Sequence, residues 1–135
     1  MTLSFLPLGL SAFFSHFASA IGLLFVFIAI YVRITPYKEI ALIREGNTAA
    51  AISLSGSIFG YSAALASVIA NSISFADMLV WGVIALVVQL LAYLLTRLML
   101  PALVLDIPAN RIASATLLAA LSIALGLINA ACMTY

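Results

Sequence analysis

An all-helical bundle that crosses a membrane four times is the fold this sequence predicts, and three observations predict it. Of its 135 residues, 67% are hydrophobic and only 7% charged, too little charge to cover the surface of a soluble domain. Four long stretches carry no Asp, Glu, Lys or Arg at all, and the five basic residues fall into two clusters, Arg33–Arg44 and Arg97–Arg111. Each cluster separates two uncharged stretches, which is the pattern of a polytopic membrane protein.

The first span runs from Ser11 to Val32, the second from Thr48 to Ala70, the third from Met78 to Thr96 and the fourth from Ile112 to Met133. Each is close to the ~20 residues that cross ~30 Å of hydrocarbon as a helix. None alternates polar and apolar residues as barrel strands do. Ala18-Ser19-Ala20 resembles a signal-peptide cleavage site, but no Lys or Arg precedes Arg33 and the apolar run continues through Ile30, so the segment reads as a retained helix. Thr35-Pro36 reads as an N-cap with proline in the first helical position, opening a short interfacial helix that Gly46-Asn47 closes. Asn71, Ser72 and Ser74 make a polar turn, and Asp77 caps the third span. Pro101 and Pro108 stop the third span and delay the fourth. The whole of 1–135 is then a single membrane domain.

Cytoplasmic loops collect Lys and Arg. With both clusters inside, each loop carries a net +1, and both termini and the turn bearing Asp77 lie in the periplasm. Each half is also a span ending in arginine (Arg33, Arg97), a proline-bearing loop, an asparagine (Asn47, Asn110) and a span rich in small residues. Two tandem two-helix repeats in parallel orientation would leave that pattern. Because two-helix hairpins resemble one another by default, duplication and coincidence both stand.

Small residues mark the packing seams. On the second span Ala50, Ser53, Ser57, Gly60, Ala64, Ser67 and Asn71 recur at steps of three and four, with Gly56 making a G-x-x-x-G pair with Gly60. Helices in lipid associate through close packing, which small residues permit. Gly82, Ala85, Gln89, Ala92 and Thr96 repeat the device on the third span, Ala115, Ala119, Ser122, Gly126 and Asn129 on the fourth, and Ala12, Ser15, Ser19 and Gly22 on the first. Ile58, Phe59, Leu65 and Ile69 are expected off the seam of the second span, against lipid or a partner subunit. Gln89, near mid-membrane, either hydrogen-bonds across to Ser53 or Ser57, for about 0.6–2 kcal/mol, or lines a path in an oligomer.

The composition excludes several functions. A formal charge of +1 is no nucleic-acid footprint. Spans without Asp, Glu, Lys or Arg do not suit a proton relay or voltage sensor. There is no G-x-S-x-G, histidine pair, acidic dyad or phosphate loop, so no catalytic residue and no cofactor site is expected. His16, Asp77 and Cys132 share the outer side but no ligand spacing, and no metal site is expected there. Two readings remain. One is a non-enzymatic anchor or scaffold, with Lys38, Glu39, Arg44, Glu45, Asp106 and Arg111 meeting cytoplasmic partners or lipid head groups. The other is a homo-oligomeric channel or facilitator for a small solute or ion, lined by seam residues such as Gln89 and Asn129.

Several motifs are more specific: Thr35-Pro36-Tyr37 with Glu39, Leu42-Ile43-Arg44-Glu45-Gly46-Asn47-Thr48-Ala49-Ala50, Ser55-Gly56, Gly60-Tyr61, Trp81-Gly82-Val83-Ile84-Ala85, Gln89-Leu90, Arg97, Pro101 and the terminal Asn129-Ala130-Ala131-Cys132-Met133-Thr134-Tyr135. Through them the chain resembles, over nearly its whole length, the YjfL-like family of small bacterial inner-membrane proteins, also called domain of unknown function family 350. It departs from the family's pattern in lacking a proline near Ala63-Ala64. The resemblance implies a four-span inner-membrane protein encoded near envelope-stress and phage-shock-like components or polyamine-related enzymes, and hence stress-response partner proteins. It implies no activity and no catalytic residue.

Overall fold

A computed structural model describes residues 6–133, with side chains from residue 9; Thr134 and Tyr135 of the terminal motif lie outside the described residues. The elements in order are α1 (Leu6–Ile34), α2 (Glu39–Arg44), α3 (Thr48–Asn71), α4 (Phe75–Met99), α5 (Leu103–Asp106) and α6 (Ile112–Cys132). Four of them, α1, α3, α4 and α6, are long and apolar enough to cross a membrane. The protein is an all-helical, four-span membrane protein. Its surface suits that solvent: Phe14, Phe59 and Leu98 are 62%, 67% and 80% exposed, apolar area that a water-soluble monomer would not leave open in such quantity.

α3 is the central helix, packed against α1, α4 and α6. Its partnership with α6 is the most extensive in the molecule, and the two run parallel. Bonds between the α3 and α6 segments join Ala49 to Asn110, Ser57 to Ser122 and Ser67 to Ala130, at separations of 61, 65 and 63 residues. That nearly constant separation is what two parallel helices in fixed register produce.

Local chemistry sets the ends of these elements. Thr35-Pro36 does not open α2: the Thr35 hydroxyl donates instead to Val32 O and Tyr37 O, closing α1, and α2 starts at Glu39 without a side-chain cap. Gly46, at φ +88°, ends α2 as expected. Asn47 completes that ending, its N–H donating to Leu42 O at 2.9 Å, and it also opens the next element. It is extended, and its Oδ1 accepts from Ala50 N at 2.8 Å as the N-cap of α3. On α4 the cap is Ser74, whose Oγ accepts from Asp77 N at 3.1 Å, while Asp77 accepts from Ile73 N at 3.2 Å. This reciprocal arrangement resembles a capping box, so α4 starts three residues earlier than the expected span. α5 was not anticipated; it fits between Pro101 and Pro108.

The loops at the basic end of the bundle are tied to each other. Asn47 Nδ2 donates to Ile107 O (3.1 Å) and Pro108 O (3.3 Å), and Asn110 Oδ1 accepts from Ala49 N at 2.9 Å. Asn110 sits at φ 60°, a conformation that asparagine tolerates better than most residues. Asn110→Ala loses both the cap and the conformational tolerance, and is expected to cost about 1–2 kcal/mol in a denaturation titration of the detergent-solubilised protein.

α1 joins the bundle differently from the expectation. Its small stripe is not a seam: Ala12, Ser15 and Gly22 are exposed, Gly22 has open space where a Cβ would stand, and Ser19 bonds its own helix at Ser15 O. The contacts are aromatic. Phe27 stacks on Tyr61 at 4.6 Å between ring centroids, and Tyr31 meets Tyr93 edge-on at 5.8 Å, geometries favoured by the ring quadrupoles. Tyr61 Oη then donates to Gly82 O at 3.0 Å. Of the residues expected to meet lipid or a partner subunit, Phe59 does face outward, but Leu65 is buried and Ile58 and Ile69 are partly buried against the core, because α3 is enclosed on more than one side.

Candidate functional site

Three groups of residues concentrate the polar chemistry of this molecule. The first is the mid-membrane seam. Gly56, Gly60 and Gly126 are where the backbones of α3 and α6 touch: a Cβ on Gly60 would stand 2.2 Å from Ser122 O, and one on Gly126 would stand 2.1 Å from Gly60 O. Ser53 and Ser57 are buried beside them and bond back to Ala50 O and Ser53 O of their own helix, with Ser57 Oγ also reaching Ser122 Oγ at 3.4 Å. Gln89 comes in from α4, fully buried, and its Nε2 donates to Ser57 O at 3.4 Å and Ser122 O at 3.2 Å. One amide therefore ties three helices. The bond across to Ser57 is one of the two expected alternatives, made to the backbone carbonyl; Ser122 O is a second acceptor, and the Gln89 Oε1 is buried without a hydrogen bond among the described residues. Asn129, farther along α6, is half-buried, with an amide nitrogen that finds no partner among the described residues.

The second group is the charged rim of the basic end. Lys38, Arg44, Glu45 and Arg111 are exposed there. Asp106 is partly engaged within the chain. Its Oδ2 accepts from Ser114 Oγ at 2.6 Å and its Oδ1 lies 3.7 Å from Arg111 Nε. The guanidinium side is 72% exposed and the carboxylate 17%, so this ion pair contributes little to stability, but it leaves Arg111 as the outward-facing member.

The third group was missed by sequence reasoning. Glu39, expected on the surface as a partner or lipid contact, is fully buried. Around it stand Tyr31 from α1, Tyr37 from the link before α2, and Tyr93 from α4, all buried. The Ser57 hydroxyl lies beside Tyr31, Tyr37 faces Tyr93, and the Thr35 hydroxyl lies beside Glu39. Even so, neither Glu39 oxygen and none of the three phenol oxygens has a hydrogen bond of ordinary geometry. Burial pushes the Glu39 carboxyl up to about 8, with Thr35 pulling weakly the other way. Burial, reinforced by the Glu39 charge, likewise raises the Tyr37 phenol far above its usual value. The available signal was helical spacing: Glu39 shares a face with Leu42 and Ile43, and both pack against the core.

On the opposite side, His16 Nδ1 is 2.7 Å from Ala12 O of its own helix and Cys132 is exposed. Among the described residues no three of His, Cys, Asp and Glu gather in a form that could hold a metal.

A four-span chain with this seam and these loops can be compared with known proteins. The family model described as Domain of Unknown Function (DUF350) matches residues 4–133. The chain belongs to the DUF350 family. It is 40% identical over 126 residues to the UPF0719 inner membrane protein YjfL of Escherichia coli (strain K12), covering 93% of this chain and 96% of that one. The same identity and coverage hold for YjfL of Escherichia coli O157:H7. The UPF0719 transmembrane protein YshE of Bacillus subtilis (strain 168) is 28% identical over 87 residues, 64% of this chain and 65% of that protein. No solved structure matches. As a DUF350 member the chain carries the motifs of the resemblance in structural positions: Gly46-Asn47 separates α2 from α3, Gly60 lies in the α3–α6 contact, and Gln89 holds α4 to both.

Proposed function

We propose that this DUF350 protein is a non-enzymatic anchor or scaffold of the bacterial inner membrane, with both termini in the periplasm and its basic end in the cytoplasm. The observation that supports this most is the joining of the two loops. The Asn47 and Asn110 bonds fix the α2–α3 and α5–α6 connections as one platform, from which Lys38, Arg44, Glu45 and Arg111 project. A fixed charged platform suits recognition of a protein partner or of anionic head groups, since it recruits a partner without first having to order two separate loops. The placement of that partner among envelope-stress proteins rests on the family resemblance alone. The tandem-repeat reading gains support from the parallel pairing of α3 and α6, the second spans of the two halves.

The channel reading loses support at its best lining residue, because Gln89 is buried inside the bundle and its amide nitrogen donates to α3 and α6 where their backbones touch. Reconstituted liposomes should therefore show no ion or solute leak above that of empty vesicles. The scaffold is tested by purification from membranes. A cytoplasmic protein should accompany the native chain and be lost from the Lys38→Ala/Arg44→Ala/Arg111→Ala variant. Identical profiles, or recovery of the chain alone, would remove this reading.

A further inference from the structure

The groove beside α2 has a lining of two kinds, and its position in the fold says what both are for. The first span ends at Ile34 and the second begins at Thr48, so α2, between them, lies at the level of the membrane interface. One face of α2 is turned inward: Glu39 is buried, and Leu42 and Ile43 pack against the core. The other face is open, with Ile40 43% exposed and Ala41 and Arg44 exposed beside it. Together with the end of α1 it bounds a groove of ≈ 360 Å³ lined by Val32, Lys38, Glu39, Ile40, Ala41 and Arg44, a volume in the range of small-ligand sites.

Val32, Ile40 and Ala41 make the apolar part of that lining. Lys38 and Arg44 make the charged part; both are exposed, and among the described residues neither side chain has an ion pair or a hydrogen bond. Glu45, the other acid beside Arg44, does not line the groove. Glu39 does, but its carboxyl is buried, and burial pushes it up to about 8, so near neutral pH it sets no negative charge against an anion. Positive-inside bias places basic residues in a loop, but it does not require two of them to share a groove with the end of a span. A free anion would use the two cations and leave the apolar wall in water, and an acyl chain would use the wall alone. A phospholipid of net negative charge uses both. Lysine meets its phosphate as a point charge and arginine through paired N–H groups, while the methylene stems of both lie along apolar surface.

We propose that the groove beside α2 binds one anionic phospholipid, with its phosphate between Lys38 and Arg44 and the start of an acyl chain along Val32, Ile40 and Ala41. The association is non-covalent, and the bound lipid joins α1 to the outer face of α2 at the membrane surface. The inference deepens the platform reading and rests on it only for the leaflet, the cytoplasmic one, that supplies the lipid. The site itself stands if no partner protein exists.

The test uses the full chain purified in mild detergent, titrated with phosphatidylglycerol or phosphatidylcholine of identical acyl chains and followed by native mass spectrometry. No partner protein is present, so the outcome is separate from that of the membrane pull-down. One phosphatidylglycerol should be retained per chain, about tenfold more tightly than phosphatidylcholine. Lys38→Gln/Arg44→Gln should weaken its retention about 20-fold, roughly fivefold for each cation removed. Arg97→Gln/Arg111→Gln removes the same charge from exposed positions outside the groove and should leave retention within about twofold of the native value. Ala41→Phe keeps every charge and fills the groove from an exposed position; it should melt like the native chain and retain less phosphatidylglycerol. Glycerol phosphate in large excess, a head group without acyl chains, should not displace the lipid. Equal retention of the two lipids, equal losses in the two double variants, or displacement by glycerol phosphate would overturn the proposal.

Discussion

Replacing Gly126 by alanine is expected to be the most damaging single-methyl change available in this protein. The new Cβ would stand 2.1 Å from Gly60 O and 2.5 Å from Gly60 Cα. Both are backbone atoms inside a long helix, so no side chain can swing away, and α3 and α6 must separate. Overpacking of this kind costs about 1–3 kcal/mol where side chains can adjust, and here the loss should reach or exceed the top of that range. Separation would also pull Ser122 O away from the Gln89 amide. Unfolding by SDS from mild detergent micelles measures the loss. Two other glycines calibrate it. Gly82→Ala meets only the tip of Leu23 at 2.8 Å, a flexible end, and should cost little. Gly22→Ala meets open space and should be neutral or slightly stabilising. Equal losses at Gly22 and Gly126 would contradict the packing described.

The second large effect is a dependence on pH. A carboxyl whose midpoint rises from 4.5 in the unfolded chain to about 8 in the folded one favours the folded state in its protonated form. Its stability is complete below the unfolded midpoint, declines as pH rises from 4.5 to about 8, and stays reduced above that. The total is on the order of 3–5 kcal/mol at one pH unit per 1.36 kcal/mol. The native chain should therefore lose stability between pH 5 and 8 relative to Glu39→Gln, since all other titrating groups are common to both. Parallel curves would show that Glu39 is not buried as an acid.

Much of this architecture can be read from residue order. The spans follow from hydropathy, and the α3–α6 contact follows from Gly56, Gly60, Ala119, Ser122 and Gly126, because small residues in lipid have few uses other than close approach. The same logic misplaces α1. Its small stripe is real in sequence but meets nothing, and the helix is held by Phe27 and Tyr31, whose large rings find partners only in three dimensions. Glu39 was misread for a related reason. A charged residue in a basic loop is ordinarily solvated, and only the approach of tyrosines from two other helices encloses it. Asn47 shows the limit at finer scale: asparagine can end a helix or begin one, and here it does both, its N–H bonding Leu42 O and its side chain accepting from Ala50 N.

The membrane arrangement carries the whole account, and one labelling measurement reaches it directly. In a Cys132→Ser background, a single cysteine is placed at Ile73, 90% exposed in the turn between α3 and α4, or at exposed Ala109 at the basic end. An impermeant thiol reagent applied to intact spheroplasts should modify the first and spare the second until the membrane is opened. Modification of both from the outside would contradict the four-span arrangement and, with it, the cytoplasmic platform.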